Sequence, residues 1–202
     1  MTTQSTGAYP VVVEGELDSS LSRWLWLVKW VLIIPHIIVL FFLWIAFVIV
    51  TVIAFFAILF TGRYPRGMFD FNVGVLRWTW RVGFYSYSAL GTDRYPPFSL
   101  KATDYPATFD VEYPEHLSKG LVLVKWWLLV IPHYIVVGIL HGGRSGGLNF
   151  VLVIFAAVAL LFTGRYPVSI FDLVIGVNRW AFRVAAYAAL MRDAYPPFRL
   201  DP

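Results

Sequence analysis

The stretch Leu59-Phe60-Thr61-Gly62-Arg63-Tyr64-Pro65 recurs as Leu161-Phe162-Thr163-Gly164-Arg165-Tyr166-Pro167. Working outward from it, further matches fall in the same order. Upstream, Val28-Lys29-Trp30 answers to Val124-Lys125-Trp126, and Ile34-Pro35-His36 to Ile131-Pro132-His133. Downstream, Phe69-Asp70 answers to Phe171-Asp172, Arg77-Trp78 to Arg179-Trp180, and Arg81-Val82 to Arg183-Val184. Tyr95-Pro96-Pro97-Phe98 recurs as Tyr195-Pro196-Pro197-Phe198. One such match could arise by chance, but not an ordered series, so the chain reads as a tandem duplication of one unit. The expected layout is an N-terminal disordered tail at 1–8, repeat one at 9–101 and repeat two at 102–202.

Composition places the unit in a membrane. Hydrophobic residues make up 59% of the 202 residues and charged ones only 14%, against about 25% charged in soluble domains. Aromatics reach 18%, and Trp and Tyr concentrate at membrane–water boundaries because each joins an apolar body to a polar tip. With no cysteine, disulfides, thiolate metal sites and cysteine nucleophiles are excluded. The net charge of +4 suits anionic headgroups, while no basic cluster in a polar setting points to nucleic acid. Met1 to Gly7 lacks the basic start of a signal peptide, and the apolar run from about Leu21 reads as a retained membrane anchor.

Each repeat opens with a short alternating segment, Tyr9 to Leu17 and Phe109 to Tyr113, whose period of two predicts a half-buried strand. In repeat two, Leu121 to Leu140 is long enough to span hydrocarbon. The turn residues His141 to Gly147 break the run, and Leu148 to Phe162 forms a second apolar helix. Repeat one is almost continuously apolar from Trp24 to Phe60, and analogy with repeat two splits it near Phe41–Trp44 into a hairpin. Gly62 and Gly164 cap the second helices, and Pro65 and Pro167 open third helices running to about Leu90 and Met191.

On the third helices, Asp70, Gly74, Arg77 and Arg81 are spaced four, three, four, as are Asp172, Gly176, Arg179 and Arg183. That spacing sets each quartet on one narrow stripe. A charge at the bilayer centre costs about 2.5–3.5 kcal/mol, so these helices are expected in the interface and not across it. The fold class that follows is an all-α integral membrane protein with four transmembrane helices. Each repeat contains a short strand, a transmembrane hairpin and an interfacial amphipathic helix, and the strands form a small cytoplasmic β element. The charged side is cytoplasmic with both termini inside, and the opposite side carries one charge, Arg144, at a hairpin tip. Six spans with inverted repeats is the alternative.

The run Phe56 to Phe71, followed by Gly74-Val75-Leu76-Arg77-Trp78 and Tyr95-Pro96-Pro97-Phe98, resembles the uncharacterised bacterial membrane domain-of-unknown-function family numbered 4389, in two copies. The resemblance implies a bacterial cytoplasmic membrane location and no activity, so no catalytic residue is carried over.

The candidate site residues are Arg63, Asp70, Arg77 and Arg81 with their twins Arg165, Asp172, Arg179 and Arg183. They could clamp lipid phosphates by forked, charge-assisted hydrogen bonds, or pair internally, each Asp with neighbouring arginines. The intervening Gly74 and Gly176 allow close approach of another backbone. His36 and His133 are intramembrane polar residues behind a proline: two such imidazoles could ligate a haem, or each could bond a carbonyl freed by the kink. Lys29 and Lys125 are expected to snorkel to the interface with Arg23 and Lys119. No nucleophile elbow, zinc-protease helix or phosphate loop is present. The expected function is therefore a non-enzymatic accessory or scaffold module without cofactor or metal, its partners anionic lipids, a protein or a second copy. A small oligomeric transporter or channel, or a lipid-modifying enzyme, is the alternative.

Overall fold

A computed structural model describes residues 9–142 and 147–201. The expected tail at 1–8 and the tip residue Arg144 lie outside the described residues. In chain order the elements are β1 (Val11–Gly15), α1 (Lys29–Leu32), α2 (Ile34–Thr61), α3 (Arg66–Tyr85), β2 (Ala107–Val111), α4 (Leu121–Val124), α5 (Ile131–His141), α6 (Leu148–Thr163) and α7 (Val168–Ala188). A short 3-10 turn, Leu25–Leu27, precedes α1, and a π-helical turn, Lys125–Leu129, joins α4 to α5.

The alternating segments are strands, and they pair with each other across the two repeats. β1 and β2 run antiparallel with Val13 opposite Phe109. Val11, Val13, Ala107, Phe109 and Val111 point into the core while Val12, Glu14, Thr108 and Asp110 face out, as a period of two requires.

α3 lies lengthwise under this sheet. Phe69 packs on Tyr113 just beyond β2, Arg77 reaches Phe109 and Asp110, and Trp80 donates to the Glu14 carbonyl. From Asn72 to Tyr85 it is almost wholly buried, a core element and not a helix with one face on lipid. Trp80 meets its repeat-two counterpart Phe182 edge to face, 5.5 Å between centroids, where the two units join. The turns after α3 and α7 hold matched left-handed residues, Leu90 (φ 54°) and Leu190 (φ 66°). Such backbone costs a non-glycine residue about 1–3 kcal/mol, and burial of both side chains at 2% exposure offsets it.

α2 packs on the other side of α3, antiparallel to it: His36 meets Trp78 and Thr51 meets Asn72. The buried positions His36, Leu40, Phe47, Ala54 and Ile58 form one stripe along its whole length.

The hairpin expected in repeat one is absent. Ile34 to Thr61 is a single 28-residue helix, because nothing between Phe41 and Trp44 can terminate one. The break belongs to repeat two, where Gly142 takes φ 62° after α5. Among the described residues, two helical stretches are long and apolar enough to cross a membrane, Ile34–Thr61 and Leu121–His141, with Leu148–Thr163 shorter. The elbows match expectation: Gly62 (φ 72°) and Gly164 (φ 71°) cap α2 and α6 in the left-handed region that glycine enters without penalty.

Candidate functional site

The third-helix stripe is a seat for the tail that leaves the same repeat. A Cβ on Gly74 would stand 2.8 Å from Leu100 Cβ, and one on Gly176 2.8 Å from Leu200 Cβ. With that gap open, Arg77 Nη1 donates to the Leu100 carbonyl (3.1 Å) and Arg179 Nη1 to the Leu200 carbonyl (2.8 Å). Arg81 donates to the carbonyls of Ser99 and Lys101 and to Thr103 Oγ1. Arg183 donates to the Asp201 carbonyl and lies over the Tyr9 ring. The close backbone approach read from the glycines is thus observed, and the approaching backbone is the repeat's own exit segment.

The same arginines cross over to the other repeat. Arg77 Nε donates to the Phe109 carbonyl (2.9 Å) in β2, and Arg179 Nε to the Val13 carbonyl (3.0 Å) in β1. Ladder bonds run from Glu16 to Pro106 and from Glu112 to Pro10, so by alternation Val13 and Phe109 are a non-hydrogen-bonded pair whose carbonyls point outward. Each arginine therefore covers one open edge of the two-stranded sheet. Arg77 adds an ion pair to Asp110 (2.9 Å). Arg81 and Arg183 are 1% and 2% exposed. Burial, with Arg77 beside it, pulls Arg81 down to about 10, and burial likewise lowers Arg183.

The acids of the stripe behave differently. Asp70 pairs with Arg66 one turn back on the surface (3.4 Å) and not with Arg77. Asp172 is exposed, and among the described residues no ion pair involves it, because Val168 stands where repeat one has Arg66. Arg63 and Arg165 are exposed at the elbows. Each stands three residues after the most exposed phenylalanine of its repeat, Phe60 at 73% and Phe162 at 77%.

His36 and His133 are fully buried in twin aromatic boxes. Trp78 Nε1 donates to His36 Nδ1 (3.0 Å) and Trp180 Nε1 to His133 Nδ1 (3.2 Å). Phe98 stacks on the first imidazole at 3.9 Å and Phe198 on the second at 4.2 Å. The acceptor of each indole is thus a ring nitrogen, where a proline-freed carbonyl was expected to meet the imidazole. With Nδ1 accepting, the proton of the neutral ring is assigned to Nε2, and both Nε2 atoms are buried with no partner among the described residues. Their indole partners, Trp78 and Trp180, belong to separate apolar clusters, so each imidazole sits in its own box.

The lysines do not snorkel. Lys29 and Lys125 are 1% and 0% exposed. Lys29 Nζ meets Asp93 (2.9 Å) and the Thr92 carbonyl (2.7 Å), and Lys125 Nζ meets Asp193 (2.8 Å) and the Arg192 carbonyl. A buried ammonium is tolerable only when paired and hydrogen-bonded in this way. The sequence carries the signal for this pairing: an Asp stands two residues before Tyr-Pro-Pro-Phe in both copies.

A family model described as Domain of unknown function (DUF4389) matches twice, over residues 22–99 and 122–199. The chain belongs to this family. The first match begins at Ser22, ahead of α1, the second at Val122, within α4, and both end just past the Tyr-Pro-Pro-Phe segment, so one DUF4389 unit contains the lysine–aspartate pair, the histidine box and the third-helix arginines. The strands β1 and β2 fall outside the matched spans. Comparison with curated proteins and with solved structures returned no match.

Proposed function

We propose that the chain is a non-enzymatic module of the bacterial inner membrane, an accessory or scaffold subunit that meets anionic headgroups or a protein partner. Its charged face would lie on the cytoplasmic side with both termini there. The observation that carries this reading is the division of labour among the arginines. Arg77, Arg81 and Arg179 spend N–H groups on backbone carbonyls inside the molecule, and the buried Arg183 gives Nη1 to the Asp201 carbonyl. Arg63 and Arg165 stand exposed at matched elbows, each three residues after an exposed phenylalanine. A guanidinium and an apolar ring at one helix end suit the depth at which headgroup phosphates give way to acyl chains.

The test is a native pull-down in mild detergent, read by mass spectrometry for lipids and proteins, on wild type and on the Arg63→Gln/Arg165→Gln pair. The reading expects several-fold less co-purified anionic lipid, or loss of a specific protein, in the pair. An unchanged complement of both would remove it.

A further inference from the structure

The layering of the molecule bears on how it meets the bilayer. α2, α3 and the strands run along one another. Tyr113, Phe109 and Thr103 meet Phe69, Arg77 and Arg81 in turn, and His36 and Thr51 meet Trp78 and Asn72. A membrane normal along α2 would therefore also run along the sheet.

The sheet cannot take that direction. Its outer face carries exposed Glu14 and Asp110, each the fourth residue of a five-residue strand, and acids at the hydrocarbon centre are costly. Both ends of α2 are tied to this polar face. Just ahead of its start, Lys29 of α1 bonds the Thr92 carbonyl, and the adjoining Gly91 carbonyl takes the amide of Asp18, three residues beyond β1. At its finish, the Gly62 carbonyl takes the Leu117 amide, and Tyr113, two residues beyond β2, bonds the Tyr64 carbonyl. Lys119 Nζ sits on the Phe60 carbonyl. A helix of 28 residues is about 42 Å long. Were it normal to the sheet, its ends could not both meet segments that leave the sheet within a few residues.

The outward face of α2 is apolar from end to end: Ile34, Phe41, Ile45, Val48, Val52 and Phe60 are all exposed. One side of the molecule thus offers a helix-long apolar surface and the opposite side a charged sheet. We infer that the chain occupies a single leaflet, with α2 lying in the membrane plane, its outer face filled by the acyl chains of that leaflet and the sheet in water. This rests on the membrane reading above but replaces crossing by lying flat.

Two measurements test it on the full chain, which has no native cysteine. Ser20→Cys and Arg63→Cys place single thiols at exposed sites towards the two ends of α2. An impermeant maleimide applied to spheroplasts, then to lysed ones, should find both thiols on the same side; opposite sides would overturn the inference. Nitroxides on Ile38→Cys, Ile45→Cys and Val52→Cys, in vesicles of phosphatidylglycerol and phosphatidylethanolamine, should report one common depth. A crossing helix would spread those positions over about 21 Å. Flotation of the wild type with the same vesicles separates the failures. A chain that floats but labels from opposite sides refutes only the flat placement, whereas one that does not float removes the membrane reading as well.

Discussion

Arg77 and Arg179 hold the two carbonyls of one cross-strand pair: Phe109, held by Arg77, faces Val13, held by Arg179. Each arginine thereby ties the strand of the opposite repeat to its own third helix and exit tail. Arg77→Met leaves the Phe109 and Leu100 carbonyls without their charged donor, and a loss of about 2–3 kcal/mol is expected. Arg77→Lys should recover only part of it, since one ammonium cannot reproduce the fork. Thermal unfolding in detergent of both single variants and the Arg77→Met/Arg179→Met double variant checks this. Strict additivity would argue against coupling through the shared sheet.

Gly74→Ala tests the tail seat. Its new methyl would stand 2.8 Å from Leu100 Cβ and 3.0 Å from the Leu100 carbonyl oxygen, and overpacking of this kind costs about 1–3 kcal/mol. Gly67→Ala on the same helix meets nothing within 4 Å and should be neutral or mildly stabilising, as alanine favours helix. Equal effects on the melting temperature would refute the seat.

Breaking one buried ion pair should be severe. Lys29→Met leaves Asp93 facing a buried apolar stem, and Asp93→Asn leaves the ammonium short of a counter-charge. Each is expected to cost about 3–5 kcal/mol. Lys29→Met/Asp93→Asn together should cost less than the sum. Denaturant midpoints of the three variants decide it.

Alkaline pH should loosen the junction between the start of repeat one and the end of repeat two. Tyr9 Oη donates to the Ala194 carbonyl (3.0 Å), and burial raises its pKa from 10 to about 12. The folded value exceeds the unfolded one, so the stabilisation is whole below pH 10 and is lost as pH rises from about 10 to 12. Tyr9→Phe should make the loss over that window shallower, the other buried tyrosines such as Tyr64 keeping their share of it. A profile unchanged from wild type would place the alkaline loss elsewhere.

Much of this was legible in the sequence. The duplication, the two strands, the capped elbows and the starts of α3 and α7 follow from local spacing and local chemistry. Repeat one lacks the hairpin that analogy with repeat two suggests, because the break in repeat two depends on its own Gly142. The stripe spacing gave the shared face of Gly74, Arg77 and Arg81 but not what covers it, since periodicity is silent about distant partners. The crossed strand contacts and the Lys29–Asp93 pair join residues far apart in the chain, and only the repeated Asp before Tyr-Pro-Pro-Phe hinted at the second.

The crossed strands also set an order of events on the ribosome. Arg77 emerges 32 residues ahead of Phe109, a delay of roughly 2–6 s at about 5–20 residues per second. For that interval the first unit holds a helix layer with one strand and a vacant edge, and it cannot finish alone. Arg179 has no such wait, because Val13 was made long before. The nascent first half is therefore the aggregation-exposed species, and the second half folds onto a template already in place.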